Sequence, residues 1–242
     1  VRDGVDFRQC RSFSQQPVLV LMDFPPPHRS LSQMAETNAR LYLITPPIAD
    51  AAAFLPVFES ALSTCDIACV LLRMAPLDAV DSKAIARMLI PLAQANDVAC
   101  LLADEPQLAV RAGADGVHIE ARPERLADAL GSLHPGRIVG AGGLTTRDAA
   151  MIAGESGVDY LMFGGPESED SHAAIVERVA WWAEIFNVPC IGYARELGAI
   201  GDLVRAGADF VALGDAVFAD PRSVVAALRE AAFALAQACE PA

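Results

Sequence analysis

Beyond residue 38 the chain alternates short apolar runs with longer stretches in which apolar residues return at helical spacing. The runs predict strands over Leu41–Thr45, Ile67–Arg73, Ala99–Ala103, Gly116–Ile119, Ile138–Ala141, Tyr160–Phe163, Cys190–Tyr193 and Phe210–Leu213. Most are nearly continuous in aliphatic residues, the pattern of strands covered on both faces of a parallel sheet. The stretches between them predict helices over Ala51–Thr64, Asp81–Asn96, Gln107–Ala112, Pro123–Gly131, Thr146–Ser156, Ser171–Phe186, Glu196–Ala206 and Ser223–Gln237.

The helix ends carry matching signals. Thr146 stands as an N-cap before "RDAAMIA", Pro123 sits at a first helical position, and Gly113, Gly131, Gly157 and Gly207 read as helix-closing residues. One phrase also recurs: "RAGADGVHIE" at 111–120, "ESGVDYLMFG" at 155–164 and "RAGADFVALG" at 205–214. Reuse of one helix–turn–strand unit at intervals of tens of residues marks a repeated supersecondary element. Strict alternation with short connections implies a parallel sheet, and eight such units in about 200 residues fit a single α/β domain, a closed (β/α)8 TIM barrel. The competing arrangement, an open doubly wound sheet, normally carries a glycine-rich phosphate loop after its first strand; "TPPIAD" has no glycine. The repeated Asp115, Asp159 and Asp209 fall at the amino ends of strands, the stability face of a barrel, and read as turn-formers. Trp181 and Trp182 read as helix-to-barrel packing.

Composition narrows the partners. Of 242 residues, 53% are hydrophobic, and 18 Lys plus Arg face 31 Asp plus Glu for a formal charge of −13. Such a surface repels phosphate backbones and anionic lipid heads, which excludes nucleic acid and membranes as expected partners. No apolar run reaches the length of a membrane span. The six cysteines, Cys10, Cys65, Cys69, Cys100, Cys190 and Cys239, lack metal-like doublets and read as buried thiols of a cytoplasmic protein. Residues 1–37 differ from the rest: "PVLVLMDFPPP" is too short in its apolar core for a secretory signal and ends in prolines. They are expected to form a disordered extension, with Met34 as an alternative start, ahead of a barrel over residues 38–238.

In a barrel of this kind function gathers at the carboxyl ends of the strands. Those positions hold Thr45, Arg73, Asp104 with Glu105, His118 with Glu120, Gly142 with Gly143 and Thr145, Gly164 with Gly165, Gly192 with Tyr193, and Gly214 with Asp215. A cation ending an apolar strand needs a partner, so Arg73 is either a ligand-gripping residue or one half of an ion pair with Asp104 or Glu105. Asp104 is either a metal or ligand contact or a cap for the following helix. His118 is either a barrel-core histidine or an acid–base residue, because the two-residue alternation leaves its direction open.

From about Arg40 to Ala227 the chain resembles the thiamin phosphate synthases and their TenI-like thiazole tautomerase relatives. The stretches that carry the resemblance are "RLYLIT", "GADGVHIE", "GVDYLMFGGP" and "AGADFVALGDAVFADP". It implies an enzyme joining hydroxymethylpyrimidine diphosphate to thiazole phosphate with Mg2+. Under that resemblance Arg73 holds diphosphate, Asp104 holds the metal, and Thr145, Gly164, Gly165, Gly192 and Gly214 line the phosphorylated small-molecule substrates. The catalytic residues are left unassigned, and barrels of this type can pair as homo-oligomers. Several family positions differ here. The glutamine two places before Arg73 is Leu71 and the lysine two places after it is Ala75. A second metal-binding Asp has no counterpart in "HIEARPERL". The serine opening the turn after the fifth strand is Gly142, its histidine is Leu144, and the serine at the thiazole phosphate is Asp215. The single lysine of the chain, Lys83, lies on a predicted helix. These differences keep open an alternative: a diverged paralogue that binds another, less anionic ligand or acts as a non-catalytic partner.

Overall fold

The computed structural model describes residues 39–120 and 122–239. The expected extension over residues 1–37, and Met34 within it, lies outside them. Eight parallel strands close into a barrel in chain order: β1 (Arg40–Ile44), β2 (Ile67–Leu72), β3 (Ala99–Ala103), β4 (Gly116–Glu120), β5 (Ile138–Gly142), β6 (Tyr160–Phe163), β7 (Cys190–Ala194) and β8 (Phe210–Leu213). β8 pairs back onto β1, with Leu41 opposite Val211 and Leu43 opposite Leu213, so no strand edge is left open. The helices α1 (Ala51–Leu62), α2 (Ala79–Ala95), α3 (Pro106–Ala112), α4 (Pro123–Leu133), α5 (Arg147–Glu155), α6 (His172–Ile185), α7 (Ile200–Arg205), α8 (Asp215–Phe218) and α9 (Val224–Cys239) surround it.

Side-chain caps set several helix starts. Asp50 accepts from the backbone N–H groups of Ala52 and Ala53, Asp78 from Val80 and Asp81, Thr146 from Ala149, and Ser171 from Ala174. Asp78 thus starts α2 at Ala79, two residues before the apolar spacing alone suggests. Gly131 does not close a helix. It lies inside α4, which continues to Leu133 and stops before Pro135, whose ring disfavours helical backbone at the residue ahead of it. The helix expected over Glu196–Ala206 divides into a 3-10 turn at Leu197–Ala199 and α7. The four-residue α8 was not expected, being too short for periodicity to reveal.

Gly113 has φ +80, and Gly157 and Gly207 share this left-handed backbone, which turns each helix sharply toward the next strand. The aspartate two residues further on does more than form a turn. Asp115 Oδ2 accepts from Cys100 N at 2.8 Å, Asp159 Oδ2 from Val139 N at 2.7 Å and Asp209 Oδ2 from Cys190 N at 2.9 Å. Each carboxylate standing ahead of an even-numbered strand locks the start of the strand before it. Trp182 is 1% exposed, and its ring occupies the space a side chain at Gly154 would need.

The core has two layers. Between barrel and helices lie Leu43, Val70, Leu72, Leu89, Val117, Val139, Phe163 and Trp182; inside the barrel lie Tyr42, Ile44, Cys69, Leu71, Leu101, Tyr160, Met162, Ile191, Tyr193 and Phe210. The second group fixes which strand residues point inward, and so which reach the mouth at the carboxyl ends.

Candidate active site

The mouth begins with a lock between the first two strands: Thr45 is 1% exposed, and its Oγ1 accepts from Arg73 N at 3.0 Å. Arg73, half-buried just past β2, pairs its guanidinium with Glu167 from the loop after β6. The pairing with Asp104 or Glu105 does not form. Asp104 is instead served by Arg125 of α4, whose Nη1 lies 3.1 Å from Oδ1 and whose Nη2 donates to the Asp104 carbonyl at 2.6 Å. Nor does Asp104 cap α3, since Glu105 occupies the cap position without a side-chain bond. Asp104 holds a left-handed backbone, φ +55, and its Oδ1 accepts no hydrogen bond of good geometry even with Arg125 in ionic range.

The remaining expected residues divide. Thr145 is exposed on the turn after β5, whereas neighbouring Leu144 is buried among the outer core residues. Gly164, at φ +79, turns the chain out of β6, and Gly165 faces open space. Gly214 abuts the Tyr193 hydroxyl, so a Cβ there would come within 2.9 Å of it. Gly192 is not at the mouth: it lies inside β7, and a Cβ would meet Leu203 of α7 in the outer layer. Asp215 is exposed at the start of α8. Burial raises the Tyr193 phenol above its ordinary value, and the charge of Asp215 adds to the effect. Among the described residues no group of three His, Cys, Asp or Glu side chains could hold a metal by itself.

A polar chain through the lumen was not foreseen. Tyr42 and Tyr160 meet hydroxyl to hydroxyl at 2.9 Å, and the Tyr160 hydroxyl lies 2.9 Å from His118 Nδ1. The His118 and Tyr160 rings stack with centroids 5.6 Å apart. His118 is 2% exposed, and its Nε2, which has no hydrogen-bond partner, faces Glu120 with 3.8 Å to Oε1. Gly140 and Gly142 make this packing possible. A Cβ at Gly140 would come within 2.0 Å of the Tyr160 ring, and one at Gly142 within 2.3 Å of His118 Nε2. Burial lowers the His118 pKa to about 4, so the imidazole is neutral near neutrality. Burial and then the nearby Asp104 charge raise Glu120 above the ordinary carboxylate value. The signal lay in the alternation: Tyr42 and Tyr160 share the inward phase of their strands with Ile44 and Met162.

The family model described as thiamine monophosphate synthase matches residues 41–217, from the second residue of β1 to the third of α8. The chain belongs to this family. Thiamine-phosphate synthase of Rhodospirillum centenum is 41% identical over 204 residues, covering 80% of this chain and 96% of that protein. Thiamine-phosphate synthase of Hyphomonas neptunium is 36% identical, covering 79% and 91%. Among solved structures, thiamine phosphate pyrophosphorylase from Pyrococcus furiosus superposes with a TM-score of 0.71 at 20% identity, covering 84% of this chain and 98% of that one. A 3-hexulose-6-phosphate synthase also shares the fold, with a TM-score of 0.64 at 15% identity. The mouth of this member of the thiamine monophosphate synthase family is rich in carboxylates. Asp104, Glu120, Glu167 and Asp215 stand around it, while Arg73 and Arg125 are each engaged by a carboxylate.

Proposed function

We propose that this chain catalyses the reaction for which its family is named, joining a hydroxymethylpyrimidine diphosphate to a thiazole phosphate in the cytoplasm. The observation that carries the reading is the gathering of the family-matched Arg73, Asp104, Gly164–Gly165 and Gly214 on one barrel rim, in a chain 41% identical to a thiamine-phosphate synthase over nearly that protein's full length. The thiazole nitrogen gives an electron pair to the pyrimidine's methylene carbon. The carbon–oxygen bond to diphosphate breaks, and diphosphate leaves with that bond's electron pair.

Arg73 grips the diphosphate oxygens, exchanging Glu167 for the ligand; its planar fork suits phosphate better than an ammonium would. The open space before Gly165 and the exposed Thr145 receive the thiazole phosphate. Asp104 would hold a Mg2+ ion by exchanging Arg125, whose Nη1 lies 3.1 Å from Oδ1 without a well-formed hydrogen bond, since this ion is commonly held by one or two carboxylates with substrate phosphates. When bound, the ion would neutralise charge building on the departing diphosphate. Free thiols at Cys65, Cys69 and Cys100 support a reducing compartment.

The test is incubation of the purified chain with both substrates and Mg2+, followed by chromatography and phosphorus NMR. Thiamin phosphate and diphosphate in equal amounts are expected. Absence of both, from folded protein at saturating substrate, would overturn the reading.

A further inference from the structure

Arginines also meet open space away from the reaction face. The outer flank of the barrel carries a groove of about 520 Å3 between α3 and α4, a volume within the range of small-molecule sites. One face of each helix forms its walls. Gln107, Val110 and Arg111 stand at i, i+3 and i+4 on α3, and Arg125, Asp128 and Ser132 at i, i+3 and i+7 on α4. Arg125 is half-buried and the other residues are exposed, so a dissolved ligand can reach them all.

The lining reverses the charge balance of the chain. Acidic residues outnumber basic ones by 31 to 18 overall, yet two arginines face one aspartate here. Those charges do not neutralise one another. Among the described residues the side chains of Gln107, Arg111 and Asp128 make no hydrogen bond or ion pair, although they share the groove. Arg125 is turned instead toward the mouth, where its Nη1 lies 3.1 Å from Asp104 Oδ1 and its Nη2 donates to the Asp104 carbonyl. The contact with Oδ1 is an ion pair without a well-formed hydrogen bond, which leaves the guanidinium open to exchange. Arg125 thus belongs to both places.

We propose that this groove is an effector site for a small hydroxylated phosphate ester. Arg111 and Arg125 hold the phosphate, since a guanidinium fork matches its oxygens. Asp128 accepts from a ligand hydroxyl; a carboxylate only accepts, so it selects ligands that carry a donor. Val110 packs on the carbon skeleton. Filling the groove draws Arg125 off Asp104 and leaves that carboxylate less shielded at the mouth. In the other direction, whatever neutralises Asp104 releases Arg125 to the groove, because coupling between two sites is reciprocal. The site lies on the barrel's flank, outside the reaction face, and goes beyond the proposed activity without resting on it.

The experiment is calorimetric titration of the full chain with glycerol 3-phosphate and with propyl phosphate, which has the same charge and carbon count but no hydroxyl. The native chain is expected to bind the first about tenfold more tightly, the scale of one charge-assisted hydrogen bond. Arg111→Gln should weaken both by about tenfold, and Asp128→Ala should bind the two alike. Both substitutions replace exposed side chains without partners, so the fold is kept. Asp104→Asn, which takes the carboxylate from Arg125, should bind both esters about fivefold more tightly or better. A groove uncoupled from the mouth would not respond to that change, so an unaltered affinity in Asp104→Asn would overturn the effector role. Affinities unaltered in both Arg111→Gln and Asp128→Ala would put the ester elsewhere, on Arg73 at the mouth, and overturn the site itself. Failure of the folded native chain to bind glycerol 3-phosphate would do the same.

Discussion

Arg178 reaches from α6 to Asp170 in the loop leaving β6, with 2.5 Å between Nη2 and Oδ1, while its Nη1 donates to the Leu144 carbonyl at 2.8 Å. One guanidinium thereby ties together the turns after β5 and β6, which carry Thr145 and Gly164–Gly165. Hydrogen bonding from Arg178 holds the Asp170 carboxyl below its ordinary value. Removing one partner of a largely buried pair leaves the other uncompensated, so Arg178→Ala should cost about 3 kcal/mol in urea unfolding. Arg178→Lys should recover only part of this, because an ammonium lacks the fork that spans both acceptors.

The aspartates at the opposite end of the barrel should behave differently. Asp115 accepts from Cys100 N and also from Gln94 Nε2, both far from the mouth. Asp115→Ala leaves a backbone N–H without its acceptor, and a loss of about 1–3 kcal/mol of stability is expected. At a temperature where the variant stays folded, kcat/KM should match the parent chain. A drop in kcat/KM without a loss of stability would contradict the division between a scaffold face and a reaction face.

How much of this was readable beforehand follows from the physics of each feature. The strands and the barrel were legible because buried parallel strands must be apolar throughout and their helices must return at regular intervals, as the recurring Gly-x-Asp phrase shows. Pairings were not. Arg73 meets Glu167 across 94 residues of chain, and Arg125 meets Asp104 across 21. Such contacts depend on how loops close over the rim, which local pattern does not encode. Gly192 lies below the rim because β7 runs on to Ala194, and the alternation that points Ile191 and Tyr193 inward turns it toward Leu203. The Tyr42–Tyr160–His118 chain needed the inward phase of β1, β4 and β6 together, and only the closed barrel supplies it.

Acid should weaken the fold in two separable windows. Burial lowers His118 from the ordinary 6.5 to about 4, so between these values the unfolded chain binds a proton that the folded chain refuses. Unfolding free energy therefore falls on acidification through this window, by up to about 1.4 kcal/mol per pH unit for one group. Asp170 acts lower down. Its stabilisation is present above the ordinary 3.8 and is lost as pH falls through its depressed folded value. Urea midpoints measured from about pH 7 downward should flatten in the upper window for His118→Gln and in the lower one for Asp170→Asn. A curve unchanged by His118→Gln would mean that the imidazole is solvated enough to take its proton.

Asp215 gives the sharpest test of how an acidic rim handles anionic substrates. The resemblance puts serine at this position, next to the thiazole phosphate, and the Asp215 charge already reaches the Tyr193 phenol at the mouth. Two unit negative charges about 4 Å apart repel by about 4 kcal/mol at an effective dielectric of about 20. The side chain is exposed, so water and salt reduce this considerably. Asp215→Ser should lower the KM for the thiazole phosphate by about tenfold while leaving kcat within a factor of about two, since the repulsion acts on bound substrate and transition state alike. The gap between variant and parent should also narrow at high ionic strength, because exposed charges are screened within about 10 Å at 0.1 M salt. Equal KM values at low salt would mean that the carboxylate turns away from the phosphate or is met there by a cation. Parallel titrations with and without Mg2+ separate those two cases, because only the second brings the repulsion back when the metal is withheld.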